Sequence, residues 1–293
     1  MDFFMPLLQA MQQSEWVFLP LVFLFSLMVG SFLNVVIYRL PKMLELEWQR
    51  DYQAYFQPEH PATTSRFNLA LPGSCCPHCQ HPLAAKDNIP LLSYLSLKGR
   101  CRYCSAKISL RYPLVELFTA LISVAIAARF GVTSSCLVYL VLSWGMIALT
   151  FIDLDKMLLP DQITQPLLWL MLMSAVAGWT LPVQDAVLGA VFGYLSLWSV
   201  YWLFKLATGK EGMGYGDFKL LALLGAGLGW ALLPQIILFS ALVGAVVGSV
   251  LLLVQGKDKT TPIPFGPYIA AAGLIAMLWG DQINHWYLAS LGL

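Results

Sequence analysis

Gly212-Met213-Gly214-Tyr215-Gly216-Asp217 opens an apolar run that reaches Val254, and this junction decides how the chain is read. A carboxylate stands where a helix enters an apolar medium, after three glycines in five residues. At mid-bilayer an ionisable side chain costs roughly 2.5–3.5 kcal/mol on insertion scales, and less near the interface, so it marks a functional site by default. Glycines without Cβ atoms let the backbone take φ > 0 and let another segment approach closely. The plainer alternative is that Asp217 caps the free N–H groups of the helix it starts.

Composition supports a membrane setting. Of 293 residues, 58% are hydrophobic and 11% charged, with a mean hydropathy of +0.70. A soluble domain carries about 25% charged residues, so the expected class is an all-α polytopic membrane protein. Residues 1–15 hold two acids and no Lys or Arg, and no small-residue cleavage site follows the next apolar run, so no cleavable signal is expected there. A net charge of +1 gives no sign of a nucleic-acid partner.

About eight stretches are long enough to span, at about 20 residues for a helix. They fall near Trp16–Tyr38, Pro113–Phe130, Ser134–Ile152, Ile163–Trp179, Gln184–Leu206, Asp217–Gly229, Leu232–Val254 and Ile263–Trp279. Eight spans with both termini outside leave 39–112, 153–162, 205–219 and 255–262 inside. These segments hold ten, one, three and two of the 17 basic residues, and Arg129 alone falls outside. That distribution satisfies the positive-inside rule. The expected organisation is a first span over 1–38, a cytoplasmic insertion over 39–112 with a helix near Met43–Phe56, and a seven-helix core over 113–293. No internal repeat is visible in the sequence.

The insertion carries Cys76-Pro77-His78-Cys79 and Cys101-Arg102-Tyr103-Cys104. Two such pairs in one short loop suit four thiolates around a structural zinc, a closed site that folds the loop and does no catalysis. Redox dithiols are the alternative, but no βαβ pattern surrounds either pair. Cys75 is a spare, His78 and His81 are secondary ligand candidates, and Cys136 reads as packing.

A second carboxylate stands in Phe151-Ile152-Asp153-Leu154-Asp155, where the third span leaves the membrane. Asp155 reads as a solvated charge and Asp161 as the cap of the next span. Asp153 ends an out-to-in helix and Asp217 begins an in-to-out helix, so both lie at one depth on the cytoplasmic side. Two carboxylates sharing a site hold one proton between them, one serving as acid and the other as base on a water. Nucleophilic alternatives are poorly supplied: His60, His78 and His81 lie in the insertion, His285 lies near the other end, and none belongs to a recognisable Ser or Cys pattern. Proton-coupled transport also uses paired carboxylates, though nearer mid-membrane and without a cysteine loop. A non-catalytic assembly scaffold would need no paired acids.

These residues resemble the type IV prepilin peptidase family, intramembrane aspartic proteases with a Gly-x-Gly-Asp signature. Gly30-Ser31-Phe32-Leu33-Asn34 through Tyr38-Arg39-Leu40-Pro41 resembles its first-span ending. Asn68-Leu69, Pro72, Ser74, the four cysteines, Asn88-Ile89-Pro90 and Lys98-Gly99-Arg100 resemble its zinc loop. Arg111-Tyr112-Pro113 with Glu116, Asp153 seven residues before Pro160, Gly214-x-Gly216-Asp217 and Pro264-Phe265-Gly266-Pro267 complete the set. The resemblance implies cleavage by Asp153 and Asp217 of the short basic leader of prepilins and pseudopilins after a glycine. It further implies N-methylation of the new terminus, usually Phe, with S-adenosylmethionine, at the bacterial inner membrane. Members without the cysteine loop are generally peptidases only, so the resemblance points to this loop, and within it to Gly99, for the cofactor.

Overall fold

The computed structural model describes residues 4–56, 67–255 and 263–290. Its helices are α1 (Phe4–Gln13), α2 (Glu15–Phe56), α3 (Leu92–Ser96), α4 (Arg111–Phe130), α5 (Ser134–Lys156), α6 (Asp161–Val176), α7 (Val183–Thr208), α8 (Tyr215–Leu228), α9 (Leu233–Gln255) and α10 (Gly266–Ser290). Two isolated antiparallel bridges, Cys75 with Pro82 and Arg100 with Lys107, are the extended pairing found among the described residues. Among the described residues, five helices are long and apolar enough to cross a membrane, those containing Glu15–Phe56, Arg111–Phe130, Ser134–Lys156, Val183–Thr208 and Trp230–Val250. The chain is an all-helical membrane protein. The 16 residues of α6 and 14 of α8 reach only about 24 and 21 Å at 1.5 Å per residue. α10 is long, but Asp281, Gln282, Asn284 and His285 make its second half polar. The expected inner segment 255–262 lies, beyond Gln255, outside the described residues.

Two compact units divide the chain, residues 1–128 and 129–293. In the first, the helix expected near Met43–Phe56 is not separate: α2 runs unbroken for 42 residues through Pro20 and Pro41. Such a helix is about 63 Å long, twice a hydrocarbon core, so its polar half stands beyond any bilayer its apolar half occupies. Where α2 meets α4, Gly30 faces the backbone of Glu116, and a Cβ there would lie 2.7 Å from Glu116 Cα. Two buried polar side chains, of Arg39 and Glu116, fasten the cysteine segment to these helices. Arg39 Nη1 donates to the Asn68 and Leu69 carbonyls at 3.1 and 3.3 Å. Glu116 Oε2 accepts the Leu91 N–H at 2.9 Å. Asn34 Nδ2 adds a bond to the Tyr112 carbonyl at 3.1 Å. Motifs that are far apart in sequence thus meet as partners.

The second unit is built around α8. Ten of its 14 residues, Asp217 and Phe218 and then Leu220–Gly227, are buried, against α6, α7 and α10. Gly225 of α8 and Gly189 of α7 touch backbone to backbone, a contact that excludes any Cβ at either position. Small residues give close helix contact in a membrane, where apolar surface alone provides little drive for association.

Candidate active site and metal centre

Asp153 and Asp217 come together in the second unit. Asp153 sits in the last turn of α5, which ends when Met157 takes a left-handed conformation (φ 51°) and donates its N–H to the Asp153 carbonyl at 2.8 Å. Pro160 then caps α6. On the other side, α7 ends at Gly209 (φ 72°), and a short loop leads to Gly214, the N-cap of α8. Asp217 is therefore the third residue of α8, and its carboxylate meets the backbone of Gly214. Gly214, not Asp217, holds the N-cap position, and Asp217 lies within electrostatic reach of Asp153. Both side chains are almost fully buried, with 5% and 7% exposure. Asp153 Oδ2 accepts the Gly266 N–H at 3.0 Å. Gly266 is the first residue of α10, so the free N–H groups and positive end of that helix face the carboxylate.

The other acids take different places. Asp161 is the first residue of α6, behind the capping Pro160, and its two oxygens receive Lys219 Nζ of α8 at 2.8 and 2.7 Å. Asp155 is exposed and has interactions of its own. A hydrogen-bonded cluster flanks the loop before the glycine motif: Lys205 Nζ donates to Tyr201 Oη at 3.1 Å and to Glu211 at 2.8 Å. The Lys205 ammonium holds the Glu211 carboxyl below its ordinary range.

In the first unit Cys76, Cys79, Cys101 and Cys104 place their sulfurs within 4.8 Å of one another. The Cys76–Cys104 and Cys79–Cys101 pairs stand 3.8 and 4.0 Å apart. Metal–sulfur bonds of about 2.3 Å in a tetrahedron put sulfurs about 3.8 Å apart, so the set fits a four-thiolate metal centre. Backbone N–H groups of Cys79 and His78 aimed at Cys76 hold its thiol below the ordinary range, while burial and the neighbouring sulfurs push that of Cys104 up.

The two knuckles are a structural repeat. Cys76 N–H bonds to the His81 carbonyl, Gln80 N–H to Cys76, and Leu83 N–H to Ser74; Cys101 to Ala106, Ser105 to Cys101, and Ile108 to Gly99 repeat each bond in turn. Gln80 and Ser105 both have φ 56°. Arg102 inside the second knuckle makes a bidentate pair with the buried Asp87, holding that carboxyl below its usual range. His81 and Tyr103 stack at 3.6 Å, so His81 packs between knuckles. Gly99 has φ +67°, and a Cβ there would lie 2.7 Å from Tyr94 Oη. The Tyr94 ring occupies the space where a side chain at Gly99 would stand.

Comparison with known proteins follows this division. Residues 24–130 match the family model for the bacterial peptidase A24 N-terminal domain, and residues 140–249 that for the type IV leader peptidase family. Among similar proteins, prepilin leader peptidase/N-methyltransferase of Aeromonas salmonicida is 59% identical, over 97% of this chain and 99% of the relative. Proteins of the same name from Pseudomonas aeruginosa and Legionella pneumophila are 52% and 46% identical, over 98% and 93% of this chain and 99% and 95% of theirs. No solved structure matches. With 93–98% of its length aligned to these relatives, and buried aspartates at the end of α5 and the start of α8, the chain belongs to the type IV leader peptidase family.

Proposed function

We propose that this chain is a membrane aspartic endopeptidase that removes the leader from prepilins and pseudopilins and then N-methylates the new terminus. The observation that carries the first activity is the meeting of Asp153 and Asp217, buried, one at a helix end and one at a helix start. The pair holds one proton. The ionised carboxylate takes a proton from water as its oxygen adds to the scissile carbonyl carbon, and the protonated carboxyl gives its proton to the carbonyl oxygen. Collapse of the tetrahedral adduct breaks the C–N bond: the proton taken from water passes to the leaving amine, and one hydroxyl of the adduct returns its proton to the other carboxylate as the new carboxyl forms, so the pair again holds one proton. The Gly266 N–H orients Asp153 for this work.

All eight apolar helices, α2 and α4 to α10, cross the inner membrane in this reading, with both termini outside. Residues 39–112 and the aspartates then face the cytoplasm, where a basic leader remains when a pilin's apolar helix enters the bilayer. The short α6 and α8 suit a site near the surface, because neither needs to carry its charged first turn deep into hydrocarbon. Residues 1–38, 39–112 and 113–293 serve as first span, metal-binding insertion and catalytic core.

Zinc is the metal best matched to the four sulfurs, and Cys76, Cys79, Cys101 and Cys104 would hold it with no open position, so it shapes the loop and takes no part in cleavage. S-adenosylmethionine supplies the methyl group. With Tyr94 filling the space at Gly99, that glycine serves the cofactor through the shape of the second knuckle.

Incubating the purified chain in lipid with a prepilin and S-adenosylmethionine, and weighing the product, tests both activities. The expected product lacks the leader and gains one methyl group. Asp153→Asn and Asp217→Asn should each leave the prepilin uncut while the protein still accumulates, since either loss removes the acid or the base. Full cleavage by either variant overturns the reading.

A further inference from the structure

Against the glycines that neighbour the two aspartates stands an aliphatic side chain with no chemistry of its own. Leu159 lies in the link from α5 to α6 and reaches the starts of two other helices. Its Cβ is 2.8 Å from where a Cβ on Gly216 would be, and its Cδ2 is 3.1 Å from one on Gly266. Gly216 immediately precedes Asp217, and Gly266 gives its N–H to Asp153. One side chain thus packs against the backbone that carries one carboxylate and against the backbone that orients the other. Glycine at both positions is what lets Leu159 seat itself there.

The segment holding Leu159 is tied at both ends. Upstream, Met157 N–H bonds to the Asp153 carbonyl at 2.8 Å. Downstream, Asp161 is held by Lys219, two residues past Asp217 on α8. A wedge on a tethered link has little freedom to slide. Its width is then transmitted to the gap between α8 and the start of α10.

From this geometry we propose that Leu159 is a positioning residue that sets the separation of Asp153 and Asp217. The proposal rests on those aspartates being the catalytic pair. Separation matters because the interaction of two carboxylates falls inversely with distance, and their two apparent pKa values belong to the pair. A wedge that fixes the gap therefore fixes the pH range in which one proton is shared, as well as the alignment on substrate.

The test uses the full-length chain in lipid, a prepilin substrate, and the variants Leu159→Ala, Leu159→Met, Leu159→Gly and the exchange Leu159→Gly with Gly216→Ala. Misplacing a catalytic group by about 1 Å costs about 100-fold, so Leu159→Ala should lower kcat by about tenfold or more with KM little changed. Both limbs of its pH–rate profile should move, which general loosening of the fold would not produce. Leu159→Met, of equal bulk, should keep kcat and profile. The exchange returns one Cβ to the gap and should recover activity relative to Leu159→Gly alone. Unchanged kcat and profile in Leu159→Ala overturn the proposal, and so does a loss confined to KM, which would make Leu159 a substrate contact. If Leu159→Ala does not accumulate, Leu159→Val, which shortens the side chain by one carbon, takes its place, and unchanged kcat and profile there overturn the proposal instead. Cleavage by Asp153→Asn would overturn the aspartate assignment and this proposal together, whereas a normal Leu159→Ala beside an inactive Asp153→Asn removes the spacer alone.

Discussion

The N–H of Gly266, first residue of α10, donates to Asp153 Oδ2 across 3.0 Å, joining a carboxylate of α5 to the start of the last helix. A Cβ at Gly266 would stand 2.7 Å from that oxygen. Gly266→Ala must push the carboxylate aside, and should reduce prepilin cleavage by about 100-fold, as expected for a catalytic group displaced by about 1 Å. Accumulation should be close to normal. Initial rates on a purified prepilin check it, and wild-type rates would show that the contact has no part in cleavage.

Asp155→Asn and Asp161→Asn should keep substantial cleavage. The Asp161–Lys219 pair is partly exposed, and such pairs contribute about 0–1 kcal/mol, so its loss should lower thermal stability only slightly. Inactivity of either variant with the fold preserved would widen the catalytic set beyond two aspartates.

One zinc per chain is expected on metal analysis. Serine at Cys76, Cys79, Cys101 or Cys104 should remove it and open residues 71–112 to protease, because binding energy at such a site is folding energy. Serine at Cys75 or Cys136 should leave zinc in place. Asp87→Asn, which breaks the bidentate pair with Arg102 inside the second knuckle, should speed zinc loss to a chelator without abolishing binding.

Gly99→Val should reduce methylation more than cleavage, since it meets both an unfavourable φ of +67° and the Tyr94 ring. Packing as the cause makes a further demand. Tyr94→Ala combined with Gly99→Ala should methylate a pre-cleaved pilin better than Gly99→Ala alone. Calorimetric titration with S-adenosylmethionine should follow the same order, while Asp153→Asn and Asp217→Asn bind the cofactor normally. No relief from the double change would mean Gly99 faces the cofactor directly.

Glu211 gives a pH dependence. Lys205 holds its carboxyl below the ordinary 4.5, so the ion pair's contribution is complete above that value and is lost as pH falls through the lower folded one. Backbone hydrogen exchange in residues 209–214 should quicken as pH drops below about 4.5, relative to Glu211→Gln, which should show no such step. Glu211 is 69% exposed in its side chain, so the change should be no more than a few-fold.

The sequence by itself determined the membrane class, the four cysteines that cluster and the two aspartates that are buried. Each is legible because it is local: hydropathy sums over a window, Cys-x-x-Cys is a spacing, and an acid at the end of an apolar run is conspicuous where charge is costly. It located α5 to α9 to within a few residues, but stopped α10 at Trp279 when the helix continues to Ser290, and broke α2 too early, because polar residues after Trp279 and after Pro41 end a hydropathy signal without ending a helix. The knuckle repeat was invisible because it lies in backbone hydrogen bonds: Ser74 and Gly99, or His81 and Ala106, are unlike as side chains and alike in what their carbonyls accept. Only the tertiary structure decided that Gly266 holds Asp153, that Arg39 and Glu116 pin the cysteine segment, and that Leu159 fills the gap between two glycines. A leucine between apolar neighbours carries no mark in sequence. Its role comes from van der Waals contact with Gly216 and Gly266, segments far along the chain that reach it only when α5, α8 and α10 pack.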